Sequence, residues 1–195
     1  MRIAILGTSG SGKSTLSRAL GARLGIPVIE LDAINWRAGW RDLNKDDPEE
    51  FLRLVRAATS GEAWVCDGNY SKVRDLVLAR ASDVVWLDYP RSVVMRRVIG
   101  RSFARAIGGH ELWPGTGNTE TFARWLSPDH PIRWAWDTYA DRRRRYGELF
   151  ADPRLAHAKR HRVSHTGVAA ALVETLARAQ TDETELRLKG LGPCG

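Results

Sequence analysis

The chain has 195 residues, of which 43% are hydrophobic and 27% charged, so we expect one globular domain with a sizeable core. No apolar run approaches the roughly 18 residues of a membrane span, and the run at residues 2–6 is too short for a signal-peptide core, which favours the cytoplasm. Two cysteines, Cys66 and Cys194, are too few for a disulfide framework or a zinc site.

The net charge of +7 is concentrated in one part of the chain. Residues 91–162 carry 15 basic and 7 acidic side chains, whereas residues 1–90 carry 12 of each. Phosphates of a small ligand or of a nucleic acid would attract such a segment, and an arginine-rich composition would account for part of the excess without either. The charge distribution therefore favours an anionic partner without naming it.

Apolar runs and helical periodicities alternate along the chain. Strands are predicted at residues 2–6, 25–31, 63–67, 83–88 and 161–165. Helices are predicted at residues 13–24, 47–60, 91–107, 131–150 and 167–179. Residues 108–130 show no clear period, and residues 180–195 are predicted to be a disordered tail. This alternation is typical of a parallel sheet covered by helices on both faces, in which ligands bind beyond the carboxyl ends of the strands.

The first strand and the first helix are joined by the glycine-rich run Gly7-Thr8-Ser9-Gly10-Ser11-Gly12-Lys13-Ser14. The run matches G-x-x-x-x-G-K-[ST], the phosphate-binding P-loop, in the required context of strand, loop and helix. Its backbone N–H groups would surround an anion, Lys13 would bridge the terminal phosphates, and the Ser14 hydroxyl would hold Mg²⁺. The nucleotide-binding residues predicted from this run are Gly7, Ser9, Gly10, Ser11, Gly12, Lys13, Ser14 and Thr15.

Aspartates lie at the carboxyl ends of the next three predicted strands. Asp67 suits a Mg²⁺ ligand beside Ser14, because polar residues continue after it. Asp88 has two interpretations, a metal ligand or a cap for the helix that begins at Arg91. Asp32 also has two, a helix cap or solvated turn on one hand and a group that orients or deprotonates an acceptor hydroxyl on the other.

The run after Asp32 is rich in tryptophan and arginine. Trp36 and Trp40, with Arg37 and Arg41 beside them, could hold a flat acceptor and pair with its anion, or the two indoles could be core. Further contacts to the acceptor are predicted after the third strand, at Asn69, Tyr70 and Arg74.

Arginines four residues apart recur on the helix predicted at residues 91–107. Arg97, Arg101 and Arg105 share one face, where like charges repel unless an anion lies there. We therefore expect this face to stabilise charge during phosphoryl transfer, the alternative being a solvated basic face. A second group, residues 142–145, points all round its helix, so about two of these arginines could reach the site.

With these residues in place, the chain resembles the adenylate-kinase-like P-loop kinases from residue 2 to about residue 179. More narrowly, it is similar to the bacterial group named DNA topology modulation proteins or uncharacterised adenylate kinases. The resemblance is carried by GTSGSGKST, LDAINWRAGW, AWVCDGNY, ASDVVWLDYPR and RRVIGRSFAR. It implies an α/β fold of the P-loop NTPase type, a three-layer sandwich whose five-stranded parallel sheet has helices on both faces, with a lid at about residues 108–130.

The resemblance also implies roles for four arginines. Arg97 would pack on the ATP base, Arg101 would touch phosphate, and Arg142 and Arg145 would close on the transferring phosphoryl group. One stretch departs from the family, because adenylate kinases continue the third-strand aspartate with Gly-Phe-Pro-Arg, whose arginine binds the acceptor phosphate. Here Asp67 is followed by Gly-Asn-Tyr-Ser, so the pattern does not predict AMP as the acceptor.

We therefore expect a single kinase domain over residues 1–179 that uses ATP and Mg²⁺ to phosphorylate a small-molecule acceptor. The acceptor is nucleoside- or nucleotide-like or another hydroxyl compound. An ATP-binding protein that acts on nucleic acid through residues 91–162 is the alternative, and a GTPase-type switch is the least favoured. The catalytic residues predicted are Lys13, Asp32, Arg97, Arg101 and Arg142. The acceptor-binding residues predicted are Asp32, Trp36, Arg37, Asn69, Tyr70 and Arg74.

Overall fold

A five-stranded parallel sheet forms the centre of the protein in the computed structural model, which describes residues 1–109, 111–120 and 130–188. Its strands are β1 (Arg2–Gly7), β2 (Val28–Glu30), β5 (Trp64–Asp67), β6 (Asp83–Leu87) and β7 (Lys159–Val163), in the order β2-β5-β1-β6-β7. Two further strands, β3 (Trp36–Arg37) and β4 (Arg41–Asp42), form a small antiparallel hairpin. The central position of β1 places the glycine-rich loop in the middle of the carboxyl edge of the sheet.

Helices cover both faces of this sheet. They are α1 (Lys13–Leu24), α2 (Leu31–Asn35), α3 (Leu43–Asp46), α4 (Pro48–Ala58), α5 (Ser71–Arg80), α6 (Arg91–Gly108), α7 (Pro131–Ala151) and α8 (Thr166–Leu188). Ala4 and Leu6 of β1 face a core shared with α4 and α5, while Ile3 and Ile5 face a core shared with α1 and α8. The predicted α/β three-layer fold is therefore confirmed.

Local chemistry explains where the predicted helices begin. Asp47 caps α4 by accepting a hydrogen bond from the Glu50 N–H at 3.2 Å, and Pro48 occupies the first turn, as the sequence predicts. Helix α6 ends at Gly108, one residue beyond the prediction, because Gly109 adopts a left-handed conformation with φ of 57°.

The structure differs from the prediction in several places. Helices α2, α3 and α5 and the β3–β4 hairpin were not expected, and β7 begins two residues early, at Lys159. The predicted disordered tail is wrong for residues 180–188, because α8 continues to Leu188. Gln180 anchors this extension by donating to the Leu24 carbonyl at 3.2 Å.

Parts of two predictions lie outside the described residues. The predicted lid at residues 108–130 includes residue 110 and residues 121–129, which lie outside the described ranges. The predicted tail includes residues 189–195, which also lie outside them. Within the described part of that lid, Glu111 and Thr119 form an isolated antiparallel bridge. No helix in the described ranges is both long enough and apolar enough to cross a membrane.

Candidate active site

The loop between β1 and α1 adopts a conformation that only small residues allow. Gly10 and Gly12 have positive φ angles of 79° and 97°. A Cβ atom on Gly10 would lie 2.9 Å from both the Val94 carbonyl oxygen and the Val98 Cβ. Helix α6 therefore packs directly on the loop, and the α6 arginines lie beside it.

Lys13 and Ser14 begin α1 at the mouth of this loop. The Lys13 ammonium donates to the Thr8 carbonyl at 3.3 Å. Burial lowers the pKa of Lys13, Asp67 and Asp32 partly oppose that shift, and nearby arginines lower the pKa further. Lys13 thus lies near both Asp67 and Asp32, two of the carboxylates that the sequence predicts at the site.

The Ser14 hydroxyl donates to Asp67 Oδ2 at 2.5 Å. Asp67 is 5% exposed, and its burial raises the pKa of the carboxyl group, while Lys13 and the Ser14 hydrogen bond act in the opposite direction. A hydroxyl and a carboxylate are hard oxygen ligands of the kind that Mg²⁺ takes. In the described ranges no group of three or more His, Cys, Asp and Glu could hold a metal, so an ion here would need oxygens from a ligand as well.

Beside the loop, several buried polar atoms have no hydrogen-bond partner among the described residues. They include the Ser11 hydroxyl, Arg101 Nε and Asn69 Oδ1. A buried polar atom left unpaired costs free energy, about 1–3 kcal/mol, so these groups favour a bound molecule or water. Together with the glycine cradle and the Ser14–Asp67 pair, they fit a magnesium-bound polyphosphate.

Two of the three arginines on the predicted face of α6 contact the loop directly. Arg97 donates to the Ser11 carbonyl at 2.9 Å, with its guanidinium 4.3 Å from the Tyr89 ring centre. Arg101 donates to the Ser9 hydroxyl at 3.3 Å. Arg105 instead lies 3.8 Å from the buried Glu120 carboxylate. Arg97 and Arg101 therefore contact the phosphate loop, and the alternative of a solvated basic face does not hold for these two residues.

The four consecutive arginines of α7 diverge. Arg142 donates to the Tyr146 hydroxyl at 3.0 Å and lies close enough to Lys13 to lower its pKa. Arg144 and Arg145 instead pair with Asp141 at 2.8 Å each. The predicted contact of Arg145 with the site is thus replaced by an exposed ion pair.

Asp88 fits neither interpretation given to it. Its carboxylate accepts from Arg143 at 2.6 Å and from Arg162 at 2.5 Å, which are residues of α7 and β7. Helix α6 is preceded by Pro90 and has no side-chain cap. Asp88 therefore joins three elements through its two arginine partners and does not cap α6.

Asp32 lies in the first turn of α2, across from the loop. The Tyr70 hydroxyl donates to Asp32 Oδ1 at 2.6 Å. Burial is the main cause that raises the pKa of Tyr70, with further contributions from Asp32, whereas a hydrogen bond with Trp36 lowers it. Tyr70 therefore stays neutral and orients the carboxylate.

Trp36 and Trp40 are half-buried and pack against a third indole, Trp113. The ring centres lie 5.6 Å apart for Trp36–Trp40, 6.2 Å for Trp36–Trp113 and 6.0 Å for Trp40–Trp113. Asn118 accepts from the Trp40 N–H at 3.0 Å and donates to the Arg37 carbonyl at 2.9 Å. The segment 111–120 is thus fastened to the hairpin.

The other predicted acceptor residues occupy different positions. Arg37 and Arg41 are exposed and face each other across the hairpin. Arg74 lies 3.4 Å from Asp75 and close to the Tyr146 hydroxyl. The Asn69 amide donates to the Gly7 carbonyl, so Asn69 supports the donor loop where an acceptor contact was expected.

One further run has the Asn-Lys-x-Asp spacing by which GTPases read a base, at residues 44–47. In the structure it links α3 to α4, where the Asp47 carboxylate accepts from the Glu50 N–H. The Asn44 carbonyl accepts from the Lys72 ammonium at 2.5 Å. These contacts are structural and add nothing to a GTPase interpretation.

The parallel sheet with helices on both faces and the loop after its central strand define the fold of the P-loop kinases. A shikimate kinase from Acinetobacter baumannii in complex with shikimate superposes with a TM-score of 0.56 at 17% identity, covering 93% of each chain. A shikimate kinase from Bacteroides thetaiotaomicron gives 0.51 at 17% identity, covering 92% of this chain and 97% of that one. The sequence matches no protein-family model and no curated protein.

Proposed function

We propose that the protein is an ATP-dependent phosphotransferase that moves the γ-phosphoryl group to a small-molecule acceptor. The observation that carries the proposal is the convergence of Lys13, Arg101 and Arg142 on one loop, with Asp67 and Asp32 within electrostatic reach of Lys13. Phosphoryl transfer needs such a cluster of cations more than it needs covalent chemistry from the protein. The fold shared with two shikimate kinases agrees with this activity.

The donor side would be occupied by ATP. The loop and Lys13 hold its phosphates, Ser14 and Asp67 hold Mg²⁺, and Arg97 packs against the base. The metal ion neutralises charge on the phosphate oxygens when it is bound. Arg101 and Arg142 stabilise the negative charge that builds on the transferring group.

The acceptor side would lie between Asp32 and the tryptophans of the hairpin. In the step we propose, the acceptor oxygen forms a bond to the γ-phosphorus as the bond to ADP breaks. The hydroxyl proton passes to Asp32, which Tyr70 holds in place. A phosphate acceptor would need no base, and Arg37, Arg41 or Arg74 would then pair with it.

A screen of acceptors tests the proposal. Nucleosides, nucleotides, sugars and hydroxy acids are incubated with ATP and Mg²⁺, and each is examined by mass spectrometry for a gain of one phosphate. We expect transfer to at least one class, reduced about a hundredfold or more in Lys13→Ala. Lys159→Ala, an exposed lysine at the opposite edge of the sheet, is the control and should retain activity. ATP binding without transfer to any acceptor would count against a kinase.

The nucleic-acid alternative is favoured by one observation on α7. Trp136 is 55% exposed, and the Arg91 guanidinium lies 3.6 Å above its ring, an arrangement that also suits base stacking. The narrower resemblance to the DNA topology modulation group is likewise only a proposal. Nucleic-acid affinity that falls steeply with salt, together with DNA-stimulated ATP hydrolysis, would favour it over the kinase.

A further inference from the structure

Arg142 of α7 lies near enough to Lys13 to lower the pKa of that lysine, and two side chains of the same helix contact its guanidinium. Nη1 of Arg142 donates to the Tyr146 hydroxyl at 3.0 Å, one turn further along. The guanidinium also lies 5.1 Å from the Trp134 ring centre. Arg142 and Lys13 carry like charges, so these two contacts oppose the repulsion between them.

Tyr146 is suited to hold a cation. Its side chain is 5% exposed and belongs to the core between α7 and the sheet. Burial raises the pKa of the hydroxyl, and the nearby Arg142, Arg74 and Asn69 offset only part of that shift. The phenol is therefore neutral near pH 7, and its oxygen can accept from Arg142.

Asn69 links Tyr146 to the donor loop. Its side chain lies beside the Tyr146 hydroxyl, and its amide nitrogen donates to the carbonyl of Gly7, where β1 ends. A continuous set of polar contacts thus runs from Arg142 through Tyr146 and Asn69 to the loop. The contact between Asn69 and Gly7 was not expected from the sequence, since the two residues are 62 positions apart.

We propose that Tyr146 is a positioning residue that holds the Arg142 guanidinium at the phosphate loop before the substrates bind. The inference rests on the proposed function, in which Arg142 stabilises the transferring phosphoryl group. A cation that is already oriented costs no reorganisation at the moment of reaction. Loss of the Tyr146 hydroxyl should therefore reduce kcat more than it weakens ATP binding.

Tyr146→Phe removes only the hydroxyl. We expect kcat to fall roughly 10- to 150-fold, the range for a lost hydrogen bond to a charged group, while the KM for ATP changes by less than about twofold. The matched control is Tyr139→Phe, on the same helix. Tyr139 is 8% exposed, and its hydroxyl donates to the Tyr89 carbonyl at 2.8 Å. Its loss should leave kcat within about twofold of wild type.

A double-mutant cycle separates positioning from a structural defect. In the Arg142→Ala background, Tyr146→Phe should cause no further loss of kcat, because the group that it positions is gone. A loss of the same size in both backgrounds would overturn the inference.

Nitrogen-15 relaxation of the Arg142 Nε–H, measured without nucleotide, gives a readout that does not need activity. We expect greater side-chain mobility in Tyr146→Phe and no change in Tyr139→Phe. If the mobility responds in this way but no acceptor is phosphorylated, the proposed function fails and the positioning role stands. If wild type is active and Tyr146→Phe changes neither kcat nor mobility, the positioning role is wrong.

Discussion

The Asp32 carboxylate, which lies within electrostatic reach of Lys13, is the base that we propose. It accepts from Tyr70 at 2.6 Å, and Tyr70 in turn hydrogen-bonds with the side chain of Trp36. Asp32 also lies near enough to Lys13 to raise the pKa of that lysine. A base that is fixed by neighbours and close to the donor phosphates is what transfer to a hydroxyl requires.

Asp32→Asn keeps the shape of the side chain and removes its basicity. With a hydroxyl acceptor found in the screen, we expect kcat to fall about 10²–10⁴-fold, the usual contribution of a general base. Steady-state kinetics should show little change in the KM for ATP, because the donor contacts remain. Tyr70→Phe should give a smaller loss, since the base remains but is less well oriented.

Asp137→Asn provides the control, because Asp137 is an exposed carboxylate that pairs with Arg133 on α7. It should behave as wild type. Turnover of a hydroxyl acceptor by Asp32→Asn at the wild-type rate would exclude Asp32 as the base. Phosphate acceptors should be insensitive to the change.

Site residues that belong to a motif of neighbouring positions could be predicted from the sequence. Site residues whose role depends on contacts with distant parts of the chain could not. The spacing of Gly7, Gly12 and Lys13 is itself the signal of the phosphate loop. The link from Tyr146 to Asn69 and the contacts of Asn118 give no such signal, because they join residues that are far apart in the sequence. Asn118, for example, contacts residues about 80 positions away along the chain.

At the scale of elements, Asp88 joins β6 to α7 and β7 through Arg143 and Arg162. Burial alone would raise the pKa of Asp88, but hydrogen bonds from the two arginines outweigh it, so the pKa is lowered. A carboxyl group with a depressed pKa in the folded state stabilises the fold above its unfolded pKa, which is about 3.9. That stabilisation is lost as the pH falls through the folded pKa.

Asp88→Asn should therefore reduce the free energy of unfolding by about 1–3 kcal/mol at pH 7, where the wild-type carboxylate is ionised. The difference between the two proteins should shrink as the pH is lowered below about 4. Denaturant unfolding at a series of pH values measures both effects.

Asp141→Asn is the matched comparison, because Asp141 also pairs with two arginines but at an exposed position of α7. Exposed ion pairs contribute little to stability because water screens them, so the effect of its loss should be small at every pH. A difference for Asp88→Asn that stays constant from pH 7 to pH 3 would show that the ionised carboxylate is not what stabilises this junction.

The elements that the sequence predicted share strong local signals. Helix α4 has a cap and a proline at its start, and four of the five sheet strands, all but β7, are short apolar runs. Helix α5 has neither a side-chain cap nor acidic residues in its first turn, and it buries only Val73, Val77 and Leu78 fully. The hairpin is two residues per strand and includes Trp40 at a positive φ of 61°, so its stability comes from packing against residues 111–120.

The basic segment at residues 91–162 includes two groups of arginines with different surroundings. Arg143, Arg144 and Arg145 pair with carboxylates. Arg101 and Arg142 instead face Lys13, where burial and neighbouring cations lower the pKa of that lysine. Repulsion within this second group would be relieved by a polyphosphate, so binding of one should stabilise the entire fold.

Thermal unfolding tests this without knowledge of the acceptor. Magnesium-bound ATP at about 100 times its Kd should raise the Tm by roughly 5–10 °C, which corresponds to about 2.7 kcal/mol in a chain of this size. Arg101→Ala should show a smaller rise relative to its own Tm without ligand. Arg144→Ala should show the wild-type rise, because Arg144 pairs with Asp141 and Glu148 on the exposed face of α7.

The same measurement compares the two kinds of anionic partner. A short single-stranded oligonucleotide at physiological salt should produce little change in Tm, because its phosphates cannot enter the loop beside Lys13 and Ser14. An oligonucleotide that stabilises the protein as much as ATP, with a shift that Arg101→Ala leaves intact, would contradict a site built for a nucleotide. That result would indicate that the oligonucleotide binds to a basic surface outside the loop. The exposed Trp136 and the Arg91 stacked on it would then be the groups to test.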